Sequence, residues 1–413
     1  MKKYTVVFLA LALVVAFAVT TMANEWNLYG NARMATFYTS RDYGKIFFDP
    51  DDNPSGDDQF GRGNFKSTQW ALQGNSRIGA TVKGDMIEAR FEYGTGVNLR
   101  RLYGVWKFTE GWGLKVGQDY TPITFFLSGQ VFDGDWGLLQ VGNAYGSRKG
   151  QLALEGQAGP GMLKVAAITQ TTPIVAASVV DPTTGVTTAL SASSESYWPK
   201  LEASYQMNFA DGMSGHVFGG FQNQKFYFDN PVTDEDTSET INSYVLGIGG
   251  DLNFGPMFIK PQFSYYRNGA AAGWLGSVAS ALGNFSGLPA AVVGSFDDVD
   301  TISIIDGGIN NIDTMMAMAA IGFSPTEQLT LEAGIGWTYT DFDDVPGSFD
   351  KHTYFEYYLQ AVYQMAPGVF LVPEVGYRDF GDLKFVRNAD GTKDSDLDLG
   401  NLFYFGAKWQ INF

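Results

Sequence analysis

The chain has 413 residues, no cysteine and a formal net charge of −17 at pH 7. A polyanion of this kind is a poor candidate for nucleic-acid binding, because that binding depends on neutralising phosphates with lysine and arginine. The lack of cysteine excludes disulfides and thiolate metal sites.

The N-terminal residues have the pattern of a secretory signal peptide. Lys2 and Lys3 are basic, residues 6–19 are uniformly apolar, and Thr21-Met22-Ala23 places small residues at the outer two positions. A membrane-anchoring helix is the alternative, but it needs roughly 17–25 apolar residues. We expect residues 1–23 to be cleaved off, which leaves residues 24–413 as a single domain.

The rest of the chain is dominated by apolar and polar residues that alternate with period two, the pattern of β-strands. The number of such runs is even, and the connections between them alternate between short and long, except at residues 94–98. Both features predict an all-β fold, a transmembrane antiparallel up-and-down β-barrel of 16 strands with short periplasmic turns and long external loops. The sixteen runs lie near residues 25–39, 67–83, 86–94, 98–108, 113–120, 149–157, 161–170, 197–209, 214–225, 241–254, 257–267, 312–323, 328–340, 353–365, 368–379 and 400–413.

Residues 174–190 are the one segment that could change this count. Their pattern predicts a further hairpin. If this hairpin joined the wall, the barrel would have eighteen strands. We favour a hairpin that protrudes outside the wall.

Two observations favour a membrane barrel over a soluble β-sandwich. Strand charges fall on one face of each run, and an arginine or lysine turned toward lipid would cost about 2–4 kcal/mol at mid-membrane. Arg100 and Arg148 have an ambiguous phase. In addition, several strands that run toward a short turn end in an aromatic residue, as expected at a membrane interface. These rings are Phe108, Phe209, Phe254 and Phe323.

A barrel of sixteen strands encloses a lumen that side chains alone do not fill. The inward face is predicted to carry mixed polar and charged residues, so we expect water inside. This favours a channel for passive diffusion of small hydrophilic solutes and ions, and not an enzyme.

Four short segments have a recognisable pattern. They are Ser76-Arg77-Ile-Gly79, Leu102-Tyr-Gly-Val105, residues 113–122 with Gln118 and Asp119, and the terminal Phe413. These motifs resemble the general porins of Gram-negative bacteria over roughly residues 24–150 and at the C-terminus. The resemblance implies an outer-membrane location, contact with lipid and lipopolysaccharide, and a homotrimer, which the sequence itself does not indicate. Length and strand rhythm are also similar to the homotrimeric porins of sulfate-reducing bacteria.

The resemblance also implies a constriction. In the family the third external loop, here residues 121–148, folds into the lumen. It faces a ladder of basic residues on the wall. Acidic residues of the loop and basic residues of the wall then set an electric field across the constriction. The loop carries Asp133 and Asp135, and Gln118, next to Asp119, stands where the family usually has arginine. The matching basic candidates are Arg33, Arg77, Arg90 and Arg101. Each arginine has an equal claim to a simpler role, pairing with Glu88, Glu92 or Asp119 to brace the wall.

Other functions remain open because a fold does not determine a function. A substrate-selective channel would need a graded ladder of one residue type, and the runs show mixed types. A third hypothesis is a surface adhesin or an enzyme built on the barrel scaffold. The two histidines, His216 and His352, are predicted at opposite rims, roughly 25 Å apart, which excludes a shared zinc site. We interpret Asp350 beside His352 as a solvated pair.

No cofactor is expected. Acidic clusters in the long loops, near residues 49–58, 234–236, 341–344 and 394–400, are interpreted as solvated or as holding divalent cations that bridge loops or lipopolysaccharide. In either case the outer mouth is predicted to be negative and to concentrate cations.

Overall fold

The computed structural model describes residues 25–42, 64–171, 175–180, 187–189, 192–230, 235–274, 302–305, 308–309, 311–342, 349–385 and 397–413. The predicted signal peptide and the acidic cluster near residues 49–58 lie outside these ranges, and the other three acidic clusters lie partly outside them. No helix in the described ranges is both long and apolar enough to cross a membrane.

Sixteen strands form one continuous wall, as predicted, and β2 consists of two segments. The strands are β1 (Glu25–Asp42), β2 (Asn64–Leu72 and Arg77–Lys83), β3 (Ile87–Gly94), β4 (Leu99–Thr109), β5 (Trp112–Tyr120), β6 (Arg148–Ala158), β7 (Gly161–Ile168), β8 (Lys200–Ala210), β9 (Met213–Asn230), β10 (Glu235–Phe254), β11 (Met257–Arg267), β12 (Ile312–Thr326), β13 (Leu329–Phe342), β14 (Phe349–Ala366), β15 (Val369–Asp379) and β16 (Asn401–Asn412).

The wall closes on itself. Each strand pairs antiparallel with the next, and β16 pairs antiparallel with β1 from Asn31 opposite Asn412 to Asp42 opposite Asn401. Closure leaves no free sheet edge, so every wall strand has a backbone partner on both sides. The prediction of a closed 16-strand antiparallel barrel is therefore confirmed.

The hairpin predicted in residues 174–190 does not enter the wall. Val175–Val180 pairs with Thr187–Ala189, and the first of these strands also pairs in parallel with Ile302–Ile305. These strands belong to a separate four-stranded sheet that also contains Gly308–Ile309. Eighteen wall strands are therefore not formed.

Polar and apolar side chains are distributed in the opposite way to a soluble protein, with apolar residues outside and charged residues inside. Large apolar side chains such as Leu246 (62% exposed), Leu359 (57%) and Ile411 (54%) cover the outer surface, whereas Lys200 and Glu356 are fully enclosed inside. Since successive strand residues point to opposite faces, the period-two pattern is sufficient to produce this arrangement. An apolar outer surface this extensive requires an apolar environment around the barrel.

A β-bulge in β4 decides the ambiguous phase of Arg100. Glu92 on β3 lies opposite Arg101 and Tyr93 lies opposite Leu99, so Arg100 is the extra residue. Such a bulge redirects a side chain. Both guanidinium groups consequently reach interior carboxylates, with Arg100 Nε 2.8 Å from Glu92 and Arg101 Nε 2.6 Å from Asp119.

The seam between β1 and β16 contains a close backbone approach at Gly406. A Cβ added there would lie 2.2 Å from the Thr36 carbonyl oxygen and 2.6 Å from the Phe37 Cα. We expect Gly406→Ala to reduce the free energy of unfolding by about 1–3 kcal/mol, the usual range for overpacking. The measurement is urea-induced unfolding in detergent.

The control is Gly104→Ala in β4, because the nearest atom to its added Cβ is 3.8 Å away. Equal unfolding midpoints for the two variants would contradict this account of the seam.

Candidate functional site

The connection between β5 and β6, residues 121–147, folds into the lumen; we call it L3. The inward fold agrees with the prediction. L3 contains two short helical turns, Phe132–Gly134 and Gly137–Gln140, and its backbone has positive φ at Asp133 (55°), Asp135 (68°) and Gly142 (92°). Aspartate tolerates this left-handed region better than most residues, so the two acids also serve the sharp turns of the loop.

Wall carboxylates hold the L3 backbone by accepting its N–H groups. Glu332 on β13 accepts the Gly129 N–H at 2.6 Å, and Glu374 on β15 accepts those of Val131 at 2.6 Å and Phe132 at 3.2 Å. These N–H groups of the loop thereby obtain the hydrogen-bond partners that buried backbone donors require. The middle of L3 is therefore fixed to the wall by its main chain.

Gln130 adds a side-chain connection at the same place. It donates to Glu356 on β14 at 2.5 Å and to the Tyr404 hydroxyl on β16 at 2.8 Å, while its own carbonyl oxygen accepts the Leu138 N–H at 2.7 Å. One residue thus joins two wall strands and closes a turn within L3. Buried polar groups paired in this way rigidify their surroundings.

Apolar contacts complete the docking of L3. The Phe132 ring stacks on Tyr404 with 3.7 Å between centroids and meets Phe37 edge-on at 5.2 Å. On β13, Gly336 provides room for the loop, because a Cβ there would lie 2.1 Å from the Val141 carbonyl oxygen. The lumen thus contains apolar clusters where the loop meets the wall, in addition to the predicted polar and charged side chains.

The two ends of L3 are attached to a different part of the wall. Phe125 stacks on His216 of β9 at 3.7 Å between centroids, and the Ala144 N–H donates to Gln262 of β11 at 2.5 Å. His216 is thus a buried packing residue in the lumen. Taken together, L3 contacts β8 to β16 and continues past the seam to β1 and β2.

A second inward segment, residues 268–274, was not predicted, because residues 268–311 were interpreted as one external loop. The Trp274 indole donates to Glu202 on β8 at 2.8 Å, and Lys200 donates to the Ala272 carbonyl at 2.9 Å. A Cβ at Gly220 would lie 2.7 Å from the Trp274 ring. The signal in the sequence was an Ala-Ala-Ala-Gly-Trp run directly after β11, which is unusually apolar for an exposed loop.

The predicted basic ladder is only partly brought to L3. Arg33 pairs with Asp135 of the loop at 2.5 Å. Arg77 and Arg90 instead pair with Glu92 of the wall, at 3.5 and 3.4 Å, and Arg101 pairs with Asp119, as described above. Bracing of the wall, the simpler role considered for each arginine, is therefore the geometry found for these three.

Two cations that contact the acids of L3 were missed. Arg378 on β15 lies 3.1 Å from Asp133 and 3.0 Å from Glu356, and Lys408 on β16 lies 3.6 Å from Asp135. Both lie on the polar phase of their strands, which alternation predicts to face inward. No spacing in the sequence indicates that positions 378 and 408 lie beside the third loop, because only closure of the barrel brings them there.

Gln118 is placed on the outer face of β5 and not in the lumen. Its amide donates to the carbonyl oxygens of Leu99 and Arg100 on β4, at 2.9 and 3.2 Å. Asp119, the next residue, faces inward and is 2.8 Å from Lys115. Strand alternation separates these two predicted site residues.

Between L3 and the opposite wall, from β2 to β8, lies a cavity of about 660 Å³. Aromatic residues of L3 form one side of it. Tyr145 meets Trp136 edge-on at 5.2 Å, and burial raises the pKa of the Tyr145 phenol above its ordinary value, so the hydroxyl stays neutral. The charged residues of the lining are Arg77, Arg100, Arg101, Lys115, Arg148, Lys164 and Lys408 with Asp119, Asp135 and Glu155.

His352 differs from its predicted state. It is buried, and its Nε2 lies 2.6 Å from the Phe380 carbonyl oxygen. The interpretation as a solvated pair with Asp350 is therefore wrong, because the imidazole is only 2% exposed and its partner is a backbone carbonyl. Within the described ranges, no group of three or more histidine, aspartate or glutamate side chains is arranged to hold a metal ion.

Comparison with known proteins finds neither a family model nor a curated protein that matches the sequence. Solved structures do match. The outer membrane channel DcaP of Acinetobacter baumannii is 15% identical, with 94% of this chain and 97% of that one covered and a TM-score of 0.59. The trimer form of OmpT, an outer membrane protein of Vibrio cholerae, is 14% identical, with 94% and 100% covered and a TM-score of 0.53.

An anion-selective porin from Comamonas acidovorans is similar at 11% identity, with 94% and 100% covered and a TM-score of 0.50. At these identities the likeness is one of fold. The chain therefore has the fold of the outer-membrane porins.

Proposed function

We propose that the protein forms a water-filled channel in the outer membrane of a Gram-negative bacterium, through which small hydrophilic solutes and ions diffuse passively. The observation that carries this proposal is the cavity of about 660 Å³ that L3 leaves open inside the closed barrel. Its lining is mostly polar and charged, whereas the outside of the same wall is apolar. This combination suits a barrel that spans lipid and encloses water.

The attachment of L3 supports a constitutively open channel. The loop is held by hydrogen bonds to Glu332 and Glu374 and by the stacked Phe132 and Tyr404 rings. A loop fixed in this way restricts the lumen to a constant width. Passive diffusion needs no larger motion than that of the solute.

A homotrimer is part of the proposal. One similar solved structure is described as a trimer form. Porin-like barrels expose a broad apolar surface, and a second and third copy of the chain would cover part of it.

The decisive test is the conductance of the purified protein in a planar lipid bilayer. We expect stepwise openings with a linear current–voltage relation at moderate voltage, because a fixed water-filled constriction conducts equally at all times. Protein that migrates as a folded barrel before heating and gives no conductance would overturn the proposal.

Conductance should also depend on how L3 is docked. We expect Gly336→Ala to lower the open-channel conductance by roughly a quarter or more, because the added methyl pushes Val141 and its neighbours away from β13 toward the cavity. Single-channel recording in concentrated KCl provides the measurement. Gly104→Ala on β4 is the matched control, and identical conductances for the two folded variants would contradict the role assigned to L3.

Subunit number has its own measurement. In mild detergent we expect a protein mass of three chains by light scattering coupled to gel filtration, and closures in groups of three in the bilayer. A monomeric mass in several mild detergents, with single closures, would remove the trimer from the proposal without affecting the channel.

A further inference from the structure

The cavity beside L3 has the opposite charge balance from the chain as a whole. The chain carries a formal net charge of −17. The cavity lining contains seven basic and only three acidic side chains. The contacts of L3 explain how an acidic protein acquires a basic passage.

L3 covers the acidic part of the wall. Glu332, Glu356 and Glu374 on β13 to β15 are at most 7% exposed, and each accepts hydrogen bonds from the loop. Glu202 on β8 is covered by the Trp274 indole in the same way. None of these four carboxylates lines the cavity. These carboxylates therefore lie behind the inward segments and do not face the cavity.

The acids of L3 itself are also compensated. Asp133 pairs with Arg378, and Asp135 lies between Arg33 and Lys408. An acidic loop facing a basic ladder would present walls of opposite sign. Here the cations of β1, β15 and β16 neutralise the loop, so the acidic wall is largely cancelled.

The opposite wall has more cations than carboxylates. Glu92 is fully buried and is shared by Arg77, Arg90 and Arg100. Three guanidinium groups around one carboxylate leave a net positive cluster. Two of them, Arg77 and Arg100, line the cavity.

Arg148 and Lys164 add charge that no direct ion pair neutralises, because Glu155, which lies opposite Lys164, pairs with Lys115 at 2.7 Å. Neither has a carboxylate within ion-pair distance in the part of the chain that the structure describes. The Arg148 Nη1 is buried without a hydrogen-bond partner, and its guanidinium lies over the Tyr120 ring, 5.5 Å from the centroid. A buried donor without a partner costs about 1–3 kcal/mol unless water or a ligand binds it, so the Arg148 Nη1 is a donor available to water or to an anion.

We infer that the channel is selective for anions, with Arg148 and Lys164 as the residues that set the preference and small inorganic anions and organic carboxylates as the favoured solutes. This rests on the proposed channel function. Charges act over a Debye length of about 10 Å at 0.1 M salt, so all the cations of the lining reach an ion inside the cavity, where low-dielectric walls focus the field.

The acidic external loops predict the opposite preference at the outer mouth. Selectivity is decided where the walls lie within a Debye length of the ion, and that is the constriction beside L3. The sign of the selectivity therefore distinguishes the two charge distributions directly.

The experiment is the zero-current potential of the full protein in a planar bilayer across a tenfold KCl gradient. We expect a chloride-to-potassium permeability ratio of roughly three or more near 0.1 M salt, falling as salt rises and screening shortens to about 3 Å at 1 M. Arg148→Gln combined with Lys164→Gln should lower the ratio at least twofold, with the remaining preference due to the arginines around Glu92. Arg148→Lys, which keeps the charge, should retain the preference.

The control is Lys107→Gln, which removes a cation that pairs with Glu88 outside the cavity. It should leave the ratio unchanged, and all variants are checked for folding by heat-modifiable migration. A conducting wild-type protein that prefers potassium, or a double variant as anion-selective as the wild type, overturns this inference and leaves the channel proposal intact. Absence of conductance overturns both.

Discussion

The structure depends on one constraint, namely that every wall strand must have hydrogen-bonded partners on both sides. In lipid an unpaired backbone group costs several kcal/mol, so a spanning sheet must close. Closure here is the pairing of β16 with β1. That seam brings Tyr404 and Lys408 next to Phe37 and Arg33, and together these side chains receive the tip of L3.

L3 then divides the lumen into two chemically distinct halves. On one side, glutamates of β13 to β15 accept hydrogen bonds from the main chain of L3 and from the Gln130 side chain. On the other side, arginines and lysines of β2 to β7 stay in contact with the cavity. The loop narrows the lumen and also determines which wall charges face the cavity. The net charge of the chain is consequently a poor guide to the charge of the cavity lining.

The alternation of apolar and polar residues predicted most of the fold. Alternation located all sixteen wall strands and correctly assigned charged residues such as Lys200 and Glu356 to the inside, because a strand with one lipid face and one water face leaves little freedom. Interruptions within a strand could not be predicted from this alternation. The interruption of β2 at residues 73–76 lets Gln73 donate to the Val131 carbonyl and Asn75 donate to Asp135, and period two contains no sign of it.

The sequence by itself determined the class of barrel, the number of wall strands and the facing of most charges, since these follow from local alternation and from the cost of exposing charge to lipid. It also indicated, by resemblance, that the third connection turns inward. Only the tertiary structure decided which charges meet. Arg378 reaches Asp133 across 245 positions of sequence, Arg100 faces inward through a bulge, and Trp274 packs on Glu202. Such pairs depend on closure, register and loop path, which are properties of the whole chain and not of any segment.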